Sequence, residues 1–156
     1  MLIIKTSLFD LRGNAREQEI VKRYFDAKTS SFLFSEAQTI STEDTYDIHN
    51  RAKTSTIRSY TDSSFATFKD EMQVVNYSSY DKFGNVKVQT IDTYTSLNID
   101  PTKQVDHKLI ENTYTTLVAQ RRGNADKSVV TRSLSEGGEL IDRSTTVTDL
   151  FTDFGF

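Results

Sequence analysis

The residues most able to do chemistry are two histidines, His49 and His107. An imidazole can serve as a base near neutral pH or hold a metal. Neither has a second histidine at helical spacing, so no metal pair is spelled out. Both lie in polar stretches that read as surface loops. There is no cysteine, which removes disulfides, thiol nucleophiles and thiolate metal ligands. No G-x-S-x-G, P-loop or G-x-G-x-x-G occurs, and no serine stands beside a histidine as a nucleophile would need. Glu43, Asp44 and Asp47 could attract a cation, but they lack the spacing of a calcium loop and read as a solvated turn. No catalytic residue, metal ligand or cofactor site is therefore assigned, and the chain reads as non-enzymatic.

Two other groups could bind something. Arg132 and Arg143 fall opposite each other if the last hairpin pairs Leu134 with Ile141. Like charges in such a pair repel, so either the register differs or something acidic sits between them. In a barrel interior the two could grip a ligand carboxylate. The chain ends with Leu150, Phe151, Phe154 and Phe156. So many apolar residues are unusual in a terminal segment, and residues 150–156 read as a tail that docks on a neighbour or folds back on its own core.

These groups must be positioned by strands. Residues 64–100 form a long antiparallel hairpin about the turn Asp81-Lys82-Phe83-Gly84-Asn85. Gly and Asn tolerate positive φ, and Asp can accept from backbone two residues on. Val, Tyr, Thr and Ile in both arms suit a pleated surface. The apolar face of the second arm changes over near Thr90–Thr93, which calls for a β-bulge or for cover on both faces. Further strands are expected at Leu2–Asp10, Ser31–Ser41, Lys53–Thr61, Lys127–Ser135 and Glu139–Asp149. Gly137-Gly138 marks the last turn. Residues 105–120 match both templates, with strand preferred from about Lys108.

One helix is expected, over residues 15–28. Asn14 and Glu17 have the spacing of a capping box, and Ile20, Val21, Tyr24 and Phe25 share one helical face. The fold class is then mainly β, a β-rich α+β chain: an antiparallel meander sheet or barrel with one N-terminal helix.

The totals bound the function. At 156 residues a single domain, 1–156, is expected. The hydrophobic fraction is 36%, below the usual ~45–50%, so large areas of sheet must be polar. Lys+Arg 19 against Asp+Glu 22 leaves a net charge of −3, with no basic run to attract nucleic acid. The opening residues lack the pattern of a signal peptide, and no apolar run reaches the ~18 residues of a membrane span. Synthesis in the cytosol is expected, with a virion destination open. The partners expected are copies of the chain or other subunits of an assembly, with no nucleic acid and no membrane. The function expected is that of a structural or assembly protein, such as a virion or phage tail component, associating through the long hairpin and the aromatic tail. The alternative is a small antiparallel barrel, lipocalin-like in architecture, that binds an apolar or carboxylate ligand.

Overall fold

The structure, a computed structural model, describes residues 1–42 and 46–148. It is mostly strand. Nine strands follow one another in chain order: β1 (Leu2–Phe9), β2 (Ala15–Asp26), β3 (Ser31–Ser41), β4 (Thr54–Tyr60), β5 (Phe68–Tyr80), β6 (Val86–Tyr94), β7 (Gln104–Thr113), β8 (Lys127–Ser133) and β9 (Leu140–Val147). They form one open antiparallel sheet in the order β1 to β9, each strand beside its sequence neighbours. Of the two expected forms, sheet and barrel, the open sheet is found. No helix of the described residues is long and apolar enough to cross a membrane.

The expected N-terminal helix is strand β2. Its signals came from a turn and from a sheet with two apolar faces. Asn14 does not cap a helix: its Nδ2 donates to Asp10 Oδ2 at 2.9 Å, closing the β1–β2 turn. In a strand, Ile20 and Tyr24 point to one face, Val21 and Phe25 to the other. Apolar pairs two residues wide and four apart thus imitate a helical stripe. The one α-helix of the described residues is α1 (Leu117–Arg122). Thr116 Oγ1 accepts from Ala119 N at 3.0 Å, and Gly123 ends the helix at φ 70°. Residues 105–120 therefore hold both readings in succession, β7 and then α1.

Four turns share one design. Asp10, Asp47, Asp62 and Asp81 each begin a turn whose fourth residue is left-handed: Gly13 (φ 84°), Asn50 (φ 60°), Phe65 (φ 58°) and Gly84 (φ 86°). In each, one carboxylate oxygen accepts from the backbone N–H two residues on and again four residues on. For Asp81 the donors are Phe83 N at 2.8 Å and Asn85 N at 2.9 Å. For Asp10 they are Arg12 N and Asn14 N, both at 2.8 Å. For Asp47 they are His49 N at 2.8 Å and Arg51 N at 3.0 Å. For Asp62 they are Ser64 N at 2.9 Å and Ala66 N at 3.2 Å. Each carboxylate satisfies backbone donors that the strands leave behind.

By contact the chain divides into two units, Met1–Val74 with Thr93–Lys103 and Val75–Asp92 with Gln104–Phe156. In the first, Met72, Val74 and Tyr94 are buried together against Phe68. Tyr60 adds edge-on ring contacts to Phe65 and Phe68, at 5.5 and 6.2 Å. In the second, Val75, Ala119 and Val129 are buried. The apolar interior is small, and Ser59, Thr42 and Ser55 are buried beside it. Val74 and Val75 are adjacent and both buried, so β5 is covered on both faces there. The same strand holds Asp70 at φ 55°, in the first arm of the hairpin and away from Thr90–Thr93.

Acid should loosen the turns. Hydrogen bonds from Arg51 hold Asp47 down at about 2. Hydrogen bonding from Ser64 and the turn backbone lowers Asp62, and Asn14 does the same for Asp10. At Asp81 burial pushes upward, but the bonds from Asn85 and the backbone outweigh it. Each group therefore titrates below its unfolded value of about 3.9. In that range the unfolded chain binds more protons, so stability falls as pH falls. The contribution is complete above about pH 5 and is lost progressively toward pH 2. Circular dichroism melts across that range should show Tm declining with acid, less steeply in Asp47→Asn than in the wild type. Gly84→Ala meets no neighbouring atom within 4 Å, so its expected cost of about 1–2 kcal/mol in urea unfolding is backbone strain alone.

Candidate functional site

Three places collect groups that could act. The first is a polar network in the second unit. His107 lies on β7 and is buried, not on a surface loop as its polar neighbours suggested. Its Nδ1 is 2.7 Å from Asp92 Oδ1 on β6, which also accepts from Gln104 Nε2 at 2.8 Å. Ser133 of β8 is the cross-strand partner of His107. A serine, a histidine and an aspartate thus share one patch, as in acyl transfer. The hydroxyl is committed elsewhere: Ser133 Oγ donates to Ser135 O at 2.7 Å. With the imidazole buried, the arrangement works as a strand-to-strand tie.

One residue along, Asp106 begins a chain of charges. It is buried, with Oδ2 3.5 Å from Lys108 and 3.9 Å from Arg132. Arg132 Nη2 then donates to Asp142 Oδ2 at 2.6 Å. The β8–β9 register places Arg132 opposite Asp142 and Thr131 opposite Arg143, with a shift between Arg132 and Ser133. The two arginines are not paired with each other. The ladder through Arg132 lies one residue from the register that opposed them, and the carboxylates of Asp106 and Asp142 lie against Arg132 alone. Arg143 lies on β9, all of whose residues are exposed.

The second place joins two turns of the first unit. Arg12 donates to Asp47 O at 2.8 Å and to Tyr46 O at 3.1 Å. Tyr46 Oη donates to Ala15 O at 2.5 Å, and Asn14 Nδ2 to Asn50 Oδ1 at 3.0 Å. A shallow cavity of about 180 Å³ is lined by Asp10, Arg12, Arg16 and Tyr46. Of the acidic cluster considered for a cation, Glu43 and Asp44 fall outside the described residues. Asp47 is bound by Arg51, with Nη2 2.7 Å from Oδ2. His49 is exposed in this loop.

The third place is the surface of β1–β3, which carries apolar side chains on both faces. Ile3 and Ile4 are neighbours on opposite faces and are 45% and 53% exposed. Across β2 and β3, Tyr24 pairs with Leu33 and Phe25 with Phe32. Both pairs are open to solvent, Tyr24 at 54% and Phe25 at 58%. The Phe25 and Phe32 rings meet edge-on at 5.5 Å. Burying such side chains against a partner is favourable by roughly 25 cal/mol per Å² of apolar surface, and contiguous exposed apolar surface marks interaction sites. Sequence reasoning missed this surface because it placed a helix there. Adjacent apolar pairs such as Ile3-Ile4 and Tyr24-Phe25 were the available signal. Of the expected interface elements, the β5–β6 hairpin exposes Phe83 at its tip, with Lys82 Nζ 5.1 Å from the ring centre. Leu150, Phe151, Phe154 and Phe156 lie outside the described residues.

Comparison of the chain with protein-family models, curated proteins and solved structures returned no match.

The network around His107 should be structural. Asp92→Ala would leave the buried imidazole and Gln104 without their acceptor. A loss of about 1–3 kcal/mol in urea unfolding is expected. A loss below about 0.5 kcal/mol, typical of a surface site, would show that the tie carries no strain-free stability.

Proposed function

We propose that the chain is a non-enzymatic structural or assembly component, of the kind that builds a virion, a phage tail or another large complex. The observation that carries this reading is the apolar surface of β1–β3, exposed on both faces. Ile3 beside Ile4, and Tyr24 beside Phe25, give a strand that is apolar above and below. A sheet that only needs to fold alone wets one face and hides the other. A sheet that packs among neighbours has use for both. The polar ties fit this reading too, since Asp92–His107 and the exposed Arg132–Asp142 pair cross-link strands. The partners are further copies of the chain or other subunits, and the aromatic tail, residues 150–156, supplies a second contact.

Light scattering across a wide range of concentration tests this. The full chain is expected to gain mass as concentration rises. A chain ending at Asp149 is expected to keep its far-ultraviolet circular dichroism and to lose the tail's share of that mass. Unfolding of the shortened chain would overturn the tail's role and make it part of the core. A full chain that stays monomeric throughout, and binds no apolar fluorescent dye, would overturn the reading itself.

A further inference from the structure

The two outer strands of the sheet differ in how they meet solvent. A strand at an edge leaves alternate N–H and C=O groups unpaired, and edges are usually blunted by charge, proline or a bulge. β9 carries Asp142 and Arg143 side by side in mid-strand. β1, LIIKTSLF, carries one charge, Lys5, and that is held 3.5 Å from Glu19 of β2. Among the described residues no strand pairs with the outer edge of β1.

The ladder tells which backbone groups are free. Met1 N donates to Arg23 O at 2.6 Å and Arg23 N donates to Met1 O at 2.8 Å, so these two form a hydrogen-bonded pair. From there the register runs without a break through Leu2↔Lys22, Ile3↔Val21, Ile4↔Ile20, Lys5↔Glu19 and Thr6↔Gln18. Hydrogen-bonded and open pairs alternate in an antiparallel ladder. Ile3 and Lys5 therefore bond to β2, while the N–H and C=O of Leu2, Ile4 and Thr6 point outward. Beyond Thr6 the register shifts, at Thr6/Leu8 and again at Leu8/Phe9, and the regular edge ends.

We propose that this edge is a docking site for β1 of a second copy of the chain, paired antiparallel about a twofold axis through Ile4. The proposal rests on the assembly reading and names its partner. In that register Ile4 faces Ile4, Leu2 faces Thr6, and Thr6 faces Leu2. Those three pairs exchange two hydrogen bonds each, six in all. Within residues 1–6, centring one residue earlier, on Ile3, keeps only the two pairs between Leu2 and Ile4 and brings Lys5 against Met1. Centring one residue later also keeps two pairs and sets Lys5 against Lys5, an unfavourable contact. The register about Ile4 makes the most bonds and sets Lys5 across from Ile3, whose surface its aliphatic stem can cover. It also joins Leu2, Ile4 and Ile20 of each copy into one apolar face, and Ile3 and Val21 into the other. The contact is self-complementary and closes on itself, as a twofold interface must.

The absence of cysteine makes single-cysteine probes of the full chain clean. Under mild oxidation Ile4→Cys is expected to yield a disulfide dimer, because paired Cα atoms about 5.5 Å apart suit a disulfide. Leu2→Cys alone and Thr6→Cys alone should fail, since like positions would be about 13 Å apart along the strands. Mixed together, those two should cross-link. In parallel, Ile4→Pro removes only an outward N–H, which an edge strand tolerates. It should keep the circular dichroism of the wild type and lose the β1 contact in light scattering. Equal cross-linking at all three positions, or an unchanged mass for folded Ile4→Pro, would overturn the proposal. If the wild type is multimeric yet Ile4→Cys does not cross-link, this interface falls and the assembly reading stands. If the wild type is monomeric at every concentration, both fall.

Discussion

The sheet depends on the hydrogen bond from turn backbone to an aspartate carboxylate. Strands that pair only with their sequence neighbours have their registers set by their turns. Asp10, Asp62 and Asp81 do this at three hairpins, and Asp47 does it in the loop between β3 and β4. In each case one oxygen bridges the N–H groups two and four residues on, and the left-handed residue between them completes the reversal. A carboxylate performs this better than an amide or hydroxyl, because a charged acceptor strengthens each bond. The identical design at Asp10 and Asp81 extends to the side chain of the fifth residue. Asn14 and Asn85 both return Nδ2 to the other oxygen, at 2.9 and 2.8 Å.

Setting register at the turns relaxes what the strand faces must do. A sheet whose pairing is chosen by burial needs one continuous apolar face. Here Met72, Val74 and Tyr94 form a short buried stretch, and polar ties hold elsewhere. His107–Asp92 and Arg132–Asp142 are such ties, and Thr42 with Ser55 at 3.2 Å is a neutral one. The pairs at the buried His107, Thr42 and Ser55 specify register more than they add stability. That division lets the faces of β1–β3 keep apolar side chains open to solvent.

The parts legible in sequence were those with local causes. The turn at Asp81–Asn85, β3 at Ser31–Ser41, and the turn about Gly137-Gly138 all rest on residues within the segment itself. What was not legible depends on pairing across the sheet. A strand with both faces apolar has no alternation, so β2 took on the period of a helix, and the Asn14 that closes a turn passed for a cap. His107 looked exposed because its neighbours Asp106 and Lys108 are charged, whereas its ring bonds to Asp92, fifteen residues earlier, across the sheet. The register of β8 and β9 failed by one residue for a similar reason. The turn about Gly137-Gly138 pairs Ser133 with Leu140, and the shift at Arg132/Ser133 then sets Arg132 on Asp142; neither step is visible in the alternation. Of the two ways out of the clash between Arg132 and Arg143, a different register or an acidic group between the arginines, the structure takes the first.

The same contrast of local and distant causes separates the two outer strands. β8 and β9 trade charges across the pair, and Asp142 is neutralised by Arg132. Arg143, next along, faces Thr131 and is left without such a partner in the register. A foreign strand aligned on β9 would have to desolvate that guanidinium, which disfavours docking. On β1 the one charged residue already has Glu19 across from it, so pairing its outer edge strands no charge. Arg143 therefore guards β9, and the Lys5–Glu19 pair leaves the β1 edge without an unpaired charge. An edge that was merely undefended would be expected to bear no such ion pair, because an unpaired Lys5 would protect it better.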